Sequence, residues 1–376
     1  MRYVGLRTRS VAPMKFELDS IIIEEGCRTT AVANRVIAGA DGIPVQFVDD
    51  ARAAARLDPS AADSFAAGKR RMILMNRRSP FLMGCPAGSN EFACCGYLVM
   101  VLASNCPMDC SYCFLQEYVA DNPGFQLYAN YSDAFDELDR LQPRANGAKL
   151  RIGTGELADS LAFDSRTGIA ADFVDYFARR DHLTLELKTK TDEIENLLHV
   201  DPRGHTLVSW TLSPDRVFRS SEHRTASPQA RIAAARRVLE AGYKVAFHLD
   251  PMIAYSETDR DYAELIESLF SVVPPEAISF ISMGGLRMTP SLRRRARERF
   301  PEDPMLLGEE VLTPDGRYRT FTPLRLKLYG KLRELIAQAH PKMPIYLCME
   351  SASVHQRLFG SAPLSPAQLG AHLAGA

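Results

Sequence analysis

The 376-residue sequence has no apolar run near 20 residues and no recognisable signal peptide. These absences predict a cytoplasmic protein without a membrane-spanning helix. The net charge is only −1, which excludes a strong attraction of the whole chain to nucleic acid but not of local basic patches. No internal repeat is visible, and the length allows one large domain or two ordinary ones.

Cysteine is scarce and unevenly placed. Of the eight cysteines, three fall within eight residues, and none lies between Cys113 and Cys348. Cytoplasmic cysteines are more often ligands or buried thiols than disulfides. Cys27 and Cys348 are expected to be small buried hydrophobes. Cys85, Cys94 and Cys95 form a second group. This group is expected to be structural, because the neighbouring Cys94 and Cys95 would point to opposite faces of a strand.

Hydrophobic periodicity predicts an α/β fold. Residues 1–88 are expected to form a small α/β domain with strands at "SIIIEE" and "IPVQFVDD". In residues 89–350 strands alternate with single helices, one of them predicted at "DEIENLLHV". About six such units predict a partial, open (β/α)6 TIM-like barrel with its chemistry at the C-terminal strand ends. A hairpin and an amphipathic helix extend this barrel, and residues 351–376 are expected to form a partly disordered tail.

The densest cysteine motif is "NCPMDCSYCFLQ", in which Cys106, Cys110 and Cys113 have the spacing C-x3-C-x2-C. A structural zinc site takes four protein ligands, and no fourth ligand lies nearby in the sequence. Three thiolates on a loop after a buried strand suit a [4Fe–4S] cluster with one iron left open for a small molecule. A fragment of a zinc site and unligated structural thiols are the alternatives.

The motif, with Tyr112 before its third cysteine, resembles the signature of radical S-adenosylmethionine enzymes. From about residue 20 to 360 the chain further resembles the spore photoproduct lyase family. The resemblance rests on these segments: "CPAGSNEFACCGY", "NCPMDCSYCFLQ", "GTGELADSL", "SWTLSPD", "EHRTAS", "AGYKVAFHLDPM", "ISMGGLR", "DGRYR" and "IYLCMES". It implies a [4Fe–4S] cluster, S-adenosylmethionine as second cofactor, and a 5′-deoxyadenosyl radical that abstracts hydrogen from a thymine lesion in DNA.

The resemblance also implies which residues contact the cofactor. "GTGE" follows a strand, where backbone must approach a ligand closely, and it supplies Gly155 and Glu156. Lys188, with Lys190 as the alternative, and Ser209 end the next two strands. The remaining expected contacts are Tyr112, at the cysteine loop, and His248, at a strand end. Without the resemblance, a polar residue at a strand end is as easily solvated or bonded to neighbouring backbone.

Local basic and polar segments are the candidates for substrate binding. Arg317 and Tyr318 lie on the hairpin that resembles the lesion-reading hairpin of the family, and Glu222 follows a strand. The basic runs "KRRMILMNRR" and "SLRRRARERF" could touch phosphates, although such runs are often solvated faces. The expected partners are DNA and an electron donor such as flavodoxin or ferredoxin, with the chain a monomer or weak dimer.

Two departures from the family concern the end of the reaction. Its hydrogen-donor cysteine belongs in the segment that here reads "RIGTGELADS", which has none, and its relay tyrosine is replaced by Phe114. Tyr97, Tyr112 and Cys348 are the other groups able to return hydrogen, and the two tyrosines are the predicted catalytic residues. The alternatives are a radical enzyme of the same family with RNA or a small metabolite as substrate, and a non-catalytic iron–sulfur protein.

Overall fold

The computed structural model of the chain describes residues 16–54, 56, 63–85, 92, 95–144 and 147–375. The strands are β1 (Ser20–Glu24), β2 (Val45–Val48), β3 (Arg71–Met75), β4 (Leu82–Gly84), β5 (Leu98–Met100), β6 (Ala103–Ser104), β7 (Asp109–Cys110), β8 (Phe125–Tyr128), β9 (Leu150–Gly153), β10 (Leu183–Thr189), β11 (Thr206–Thr211), β12 (Glu222–His223), β13 (Lys244–Met252), β14 (Ile278–Gly285), β15 (Arg287–Met288), β16 (Val311–Leu312), β17 (Tyr318–Arg319) and β18 (Ile345–Leu347).

The α-helices are α1 (Ala31–Ala38), α2 (Ala51–Ala54), α3 (Ser64–Gly68), α4 (Leu115–Tyr118), α5 (Asp133–Asp139), α6 (Asp164–Thr167), α7 (Ile169–Phe177), α8 (Asp215–Ser221), α9 (Pro228–Glu240), α10 (Thr258–Val272), α11 (Pro290–Arg299), α12 (Thr322–Ala339), α13 (Ala352–Phe359) and α14 (Pro366–Gly375). Short 3₁₀ turns cover Glu25–Cys27, Glu195–His199, Pro275–Ala277 and Pro304–Leu306. No described helix is long and apolar enough to span a membrane.

The main sheet is an open half-barrel with the strand order β18-β14-β13-β11-β10-β9-β5-β4. Its strands run parallel except for β4, which pairs antiparallel with β5 at one edge. Both faces of the central strands are covered, as shown by β11, in which every residue is buried. Such burial explains the nearly continuous apolar runs of these strands. The predicted partial barrel is confirmed, with β18 as a further parallel strand.

A smaller sheet with the order β2-β1-β3-β8-β6 packs beside the half-barrel. Its apolar centre is the run Ile21 to Ile23, which is buried because both faces of β1 are covered. The sheet is completed by β6 and β8, which come after the first barrel strand in sequence, whereas β4 belongs to the barrel sheet. The domain boundary at residue 88 stays a prediction. Each of the two sheets contains strands from both sides of this boundary.

Local signals in the sequence set several helix ends. The side chain of Ser227 accepts a hydrogen bond from the backbone of Ala230, and Pro228 follows in the first turn of α9. The predicted helix at "DEIENLLHV" is wrong, because only a short 3₁₀ turn forms there. The turn ends at His199 and β11 begins at Thr206, so few residues are available for a longer helix.

The C-terminal part covers the barrel. In the predicted hairpin β17 pairs with β16, and β15 joins on its other side. Gly316 supplies the positive φ of +73° that the turn needs. The predicted partly disordered tail is wrong, because α13 and α14 are helices and the latter packs against β9. Burial of Leu369 and Leu373 explains why these small-residue segments still fold onto the sheet.

Candidate active site

The three predicted cluster ligands lie on a tightly held loop between β6 and α4. Asn105 has a positive φ of 66°, and its side-chain oxygen accepts a hydrogen bond from the backbone N–H of Cys106 at 2.8 Å. Cys110 lies in β7, which pairs antiparallel with β12 opposite Glu222. The backbone N–H of Cys113 donates to the carbonyl of Cys110 at 3.1 Å. Hydrogen bonds within the loop and to β12 therefore hold the loop in place.

Cys106, Cys110 and Cys113 all line one cavity of about 500 Å³ at the carboxyl ends of the barrel strands. Among the described residues that line it, no other cysteine and no histidine accompanies them. Burial is the main reason why the pKa of the Cys110 thiol is raised to about 12, and it also raises the pKa of Cys106. The three thiols line one cavity, but among the described residues no three such side chains lie close enough together to hold a single metal ion.

Glu156 lies on the same cavity at the end of the glycine-rich turn. Its carboxylate accepts hydrogen bonds from the ammonium group of Lys188 and from the hydroxyl of Tyr97. Burial alone would raise the pKa of Glu156, but the charge of Lys188 outweighs it and the pKa lies below its ordinary value. Gly155 also lines the cavity, and a Cβ there would lie 2.7 Å from the Cβ of Lys188. The turn and β10 therefore fit together only without a side chain at Gly155.

Ser209 and His248 lie deeper in the barrel than predicted for direct cofactor contacts. Both bond to Glu186, with 2.8 Å from the serine hydroxyl and 2.9 Å from His248 Nε2. Glu186 also forms a buried ion pair with Arg151 at 2.8 Å, and the other ring nitrogen of His248 lies 2.6 Å from the Ser282 hydroxyl. Ser209 is fully buried and does not line the main cavity. These buried hydrogen bonds stabilise the side of the cavity, here called its wall, against which the glycine-rich turn packs.

Tyr112 and Glu222 form a second buried network beneath the cysteine loop. The Tyr112 hydroxyl donates to Glu222, which also pairs with Arg231 at 2.6 Å and accepts from Ser213 at 2.8 Å. Burial would raise the pKa of Glu222, but the charges of Arg231 and then of Lys190 lower it to about 2. Tyr112 lines the cavity, whereas Glu222 does not. In the structure Glu222 accepts a hydrogen bond from Tyr112, and its contact with substrate stays a prediction.

Sequence reasoning missed Arg287 and Asp159 on the cavity wall. Asp250 pairs with Arg287 at 2.8 Å, and Asp159 accepts hydrogen bonds from the Thr189 hydroxyl and the Lys190 backbone at 2.8 Å each. Burial raises the pKa of Asp159. The position of Asp250 at a strand end was visible in the sequence, but nothing in the sequence indicated its partner.

A smaller chamber of about 90 Å³ lies behind the main cavity and shares Glu156, Lys188 and Asp250 with it. Its other lining includes Tyr97 and Cys348. Burial, followed by the charge of Asp250, raises the pKa of the Cys348 thiol well above its ordinary value. Of the second cysteine group, Cys85 and Cys95 line this chamber too, and Cys94 lies outside the described residues.

The rim of the main cavity is more exposed than its wall. Phe114 and Tyr118 are 40% and 57% exposed, and their rings meet edge to face at 6.3 Å. Arg317 from the hairpin lines the same cavity and lies 3.4 Å from Asp315. Tyr318, the other predicted substrate residue, does not line this cavity, because its ring packs under Arg293 at 4.6 Å.

Several arginines of the basic runs form ion pairs with carboxylates of the protein itself. Arg293 pairs with Glu310 at 2.8 Å, and Arg299 pairs with both Asp63 and Asp109. In the other run, Arg70 pairs with Asp19 at 2.7 Å. These pairs leave Arg317 as the better supported of the predicted phosphate contacts.

Comparison with known proteins agrees with this geometry. A family model described as spore photoproduct lyase matches residues 69–321. The spore photoproduct lyase of Clostridium acetobutylicum is 23% identical over 270 residues, which are 72% of this chain and 78% of that protein. The lyase of a Geobacillus species is 24% identical over 252 residues, 66% of this chain and 70% of that protein.

Solved structures show the same fold. A spore photoproduct lyase complexed with dinucleoside spore photoproduct superposes with a TM-score of 0.78 at 21% identity, covering 88% of this chain and 99% of that one. A variant of that enzyme with bound AdoMet and the same dinucleoside gives the same values. Since the family model covers most of the chain, the protein belongs to the spore photoproduct lyase family of radical S-adenosylmethionine enzymes.

Proposed function

We propose that this chain uses a [4Fe–4S] cluster and S-adenosylmethionine to reverse a thymine-derived lesion in DNA. The observation that carries the proposal is the convergence of Cys106, Cys110 and Cys113 on a cavity that also holds the Glu156–Lys188 pair. Three sulfur ligands without a fourth leave one iron open. A cavity of about 500 Å³ has room for a ligand beside the cluster.

The residues present fit both cofactors. The three thiols would hold three irons, and Glu156 with the backbone at Gly155 would meet the amino group of S-adenosylmethionine. Lys188 would meet its carboxylate, with Ser209 and His248 supporting this wall from beneath. When bound, the two cofactors supply a 5′-deoxyadenosyl radical that removes a hydrogen atom from the substrate. The buried wall excludes water from that step.

Hydrogen return is proposed to use a tyrosine of this chain. Burial raises the pKa of both Tyr97 and Tyr112 well above the ordinary value, so each keeps its phenolic hydrogen at neutral pH. Tyr112 lines the cavity beside the cluster ligands, and Tyr97 lies behind Glu156. A Cβ on Gly153 would lie 2.3 Å from the Tyr97 ring, so the glycine leaves room for this tyrosine behind the turn.

The substrate would enter over the rim. Arg317 is placed to meet a phosphate, and the exposed rings of Phe114 and Tyr118 offer faces on which an unpaired base can stack. Tyr318 and Glu222 remain proposed substrate residues; in addition, Tyr318 packs under Arg293 beside the hairpin and Glu222 holds Tyr112. A one-electron donor such as flavodoxin or ferredoxin in the cytoplasm is the proposed reductant.

The proposal is tested with anaerobically reconstituted enzyme, dithionite, S-adenosylmethionine and dinucleotide spore photoproduct. We expect 5′-deoxyadenosine to form and the dinucleotide with two restored thymines to appear, both measured by chromatography. The matched control is the Cys113→Ala variant, which should form neither. If the wild-type protein forms no 5′-deoxyadenosine with any added nucleotide, the proposal is wrong.

A second candidate is the same radical chemistry on RNA or a small metabolite. Phe114 in place of the relay tyrosine, together with a cysteine-free glycine turn, favours it. Formation of 5′-deoxyadenosine without any restoration of thymine in the dinucleotide would support this candidate over DNA repair.

A further inference from the structure

Lys69, which lies between α3 and β3 of the small sheet, hydrogen-bonds to the loop that carries the three cluster cysteines. Lys69 follows α3 and is only 1% exposed. Its side-chain nitrogen donates to the backbone carbonyls of Cys106, at 3.0 Å, and of Met108. Both acceptors lie in the loop that carries the three cluster cysteines. No step of the proposed reaction uses this buried charge.

Burying an ammonium group costs several kcal/mol unless hydrogen bonds and opposite charges compensate it. Lys69 has a nearby carboxylate in Asp109, at 3.7 Å, and the ring of Phe65 at 4.9 Å. However, Asp109 is shared, because Arg299 binds the same carboxylate at 3.0 Å. Among the described residues, much of the compensation for Lys69 therefore comes from the carbonyl dipoles of the cluster loop.

We propose that Lys69 is a positioning residue that fixes the cluster loop and raises the reduction potential of the cluster held there. A cluster gains one negative charge when it is reduced, and a positive charge close to it in a buried setting stabilises the reduced form. The same two hydrogen bonds hold the carbonyls of Cys106 and Met108 and thereby set the start of the loop. This inference rests on the proposed cluster site but not on the substrate.

The test is the reduction potential of the reconstituted cluster, followed by electron paramagnetic resonance in a redox titration without substrate. Lys69→Met removes the charge and the hydrogen bonds, and Lys69→Arg keeps the charge. We expect Lys69→Met to lower the reduced-to-oxidised ratio at a given potential about tenfold, which corresponds to about 59 mV for one electron. Lys69→Arg should stay near the wild-type potential.

The matched control is Arg70→Met, which removes the neighbouring positive charge but from an exposed pair with Asp19 and Glu17. Screening by water should leave its potential unchanged. A Lys69→Met protein that loads iron normally and keeps the wild-type potential would overturn the proposal. If the methionine variant loses its folded circular dichroism spectrum, Lys69→Gln replaces it, with the same lower potential expected.

Three further results are decisive. If both neutral variants unfold before iron is added, Lys69 is needed for the fold rather than for the cluster, and the proposal is wrong. A neutral variant that folds but binds less iron than Lys69→Arg supports the hold on the loop. If wild-type protein binds no cluster at all, the proposed function fails first, and that failure is visible in the iron content before any potential is measured.

Discussion

The wall and the rim of the cavity are built in opposite ways. On the wall, charged groups occur as ion pairs such as the half-buried Glu156 with Lys188, and the fully buried pair of Glu222 with Arg231 lies behind it. At the rim, two aromatic rings stand exposed and Arg317 is 33% exposed. Buried pairs fix the positions of their members before any ligand binds, whereas exposed side chains can adapt to one. The difference suits a wall that starts one radical reaction and a rim that selects the substrate.

The departures from the family lie on both sides of this division. The cysteine motif is on the wall and resembles that of the family, whereas the glycine turn, also on the wall, lacks the expected donor cysteine. Phe114, the residue expected at the place of the relay tyrosine, lies at the rim. The start of the reaction is therefore expected to be shared with other family members, and its end is expected to differ.

The largest effect is expected from Cys106→Ala, which breaks the wall at its metal site. Loss of one of three ligands should abolish cluster binding, measured as iron content and as the brown absorbance of the reconstituted protein. Cys348→Ala removes a buried thiol of the rear chamber and is the matched control. Full iron content in Cys106→Ala would contradict the ligand assignment.

Glu222→Gln tests whether the wall depends on its buried ion pairs. Arg231 is fully buried, so its unpaired charge should lower the free energy of unfolding by about 3–5 kcal/mol in urea denaturation. Glu195→Gln, in an exposed pair with Arg237, should cost less than about 1 kcal/mol. Equal costs for the two variants would show that the buried pair does not stabilise the wall.

The same pair predicts a pH dependence. The pKa of Glu222 is lowered from 4.5 to about 2 in the folded protein, so its contribution to stability is complete above pH 4.5. That contribution is lost as the pH falls from 4.5 towards 2, because the unfolded chain then binds the proton more readily. The stability of Glu222→Gln should fall less steeply in this range, as measured by urea denaturation at each pH.

Glu156→Gln should have a smaller effect that is confined to the cofactor. Replacing the carboxylate removes a charge-assisted hydrogen bond worth about 1.5–3 kcal/mol, so S-adenosylmethionine should bind roughly 10- to 100-fold more weakly. Isothermal titration of the reconstituted protein measures this affinity, and iron content should not change. Unchanged affinity would exclude Glu156 as a cofactor contact.

The smallest effect is expected at the rim. Arg317→Met should weaken binding of a lesion-containing oligonucleotide by a few fold and reduce the slope of log affinity against log salt by about 1. Fluorescence anisotropy at several salt concentrations measures both. Affinity for S-adenosylmethionine should stay unchanged, and a large loss of it in this variant would show that wall and rim are not separate.

Sequence reasoning reached the wall more easily than the contacts within it. The spacing of Cys106, Cys110 and Cys113 and the βα rhythm needed only local pattern, since both depend on residues close in sequence. The partner of Tyr112 lies 110 residues away and that of Lys69 lies 37 residues away, so neither left a local signal. Ser209 and His248 were predicted at strand ends but lie in the middle of β11 and β13, and their burial against Glu186 depends on three strands packing together.

The most direct test of the account is where the hydrogen in the product comes from. The phenolic hydrogens of Tyr97 and Tyr112 exchange with solvent, whereas the carbon-bound hydrogens of S-adenosylmethionine do not. Enzyme equilibrated in D₂O is given dinucleotide spore photoproduct. The repaired dinucleotide should carry one deuterium in a thymine methyl group, detected by mass spectrometry. Thymine formed in D₂O without deuterium would contradict hydrogen return by the protein.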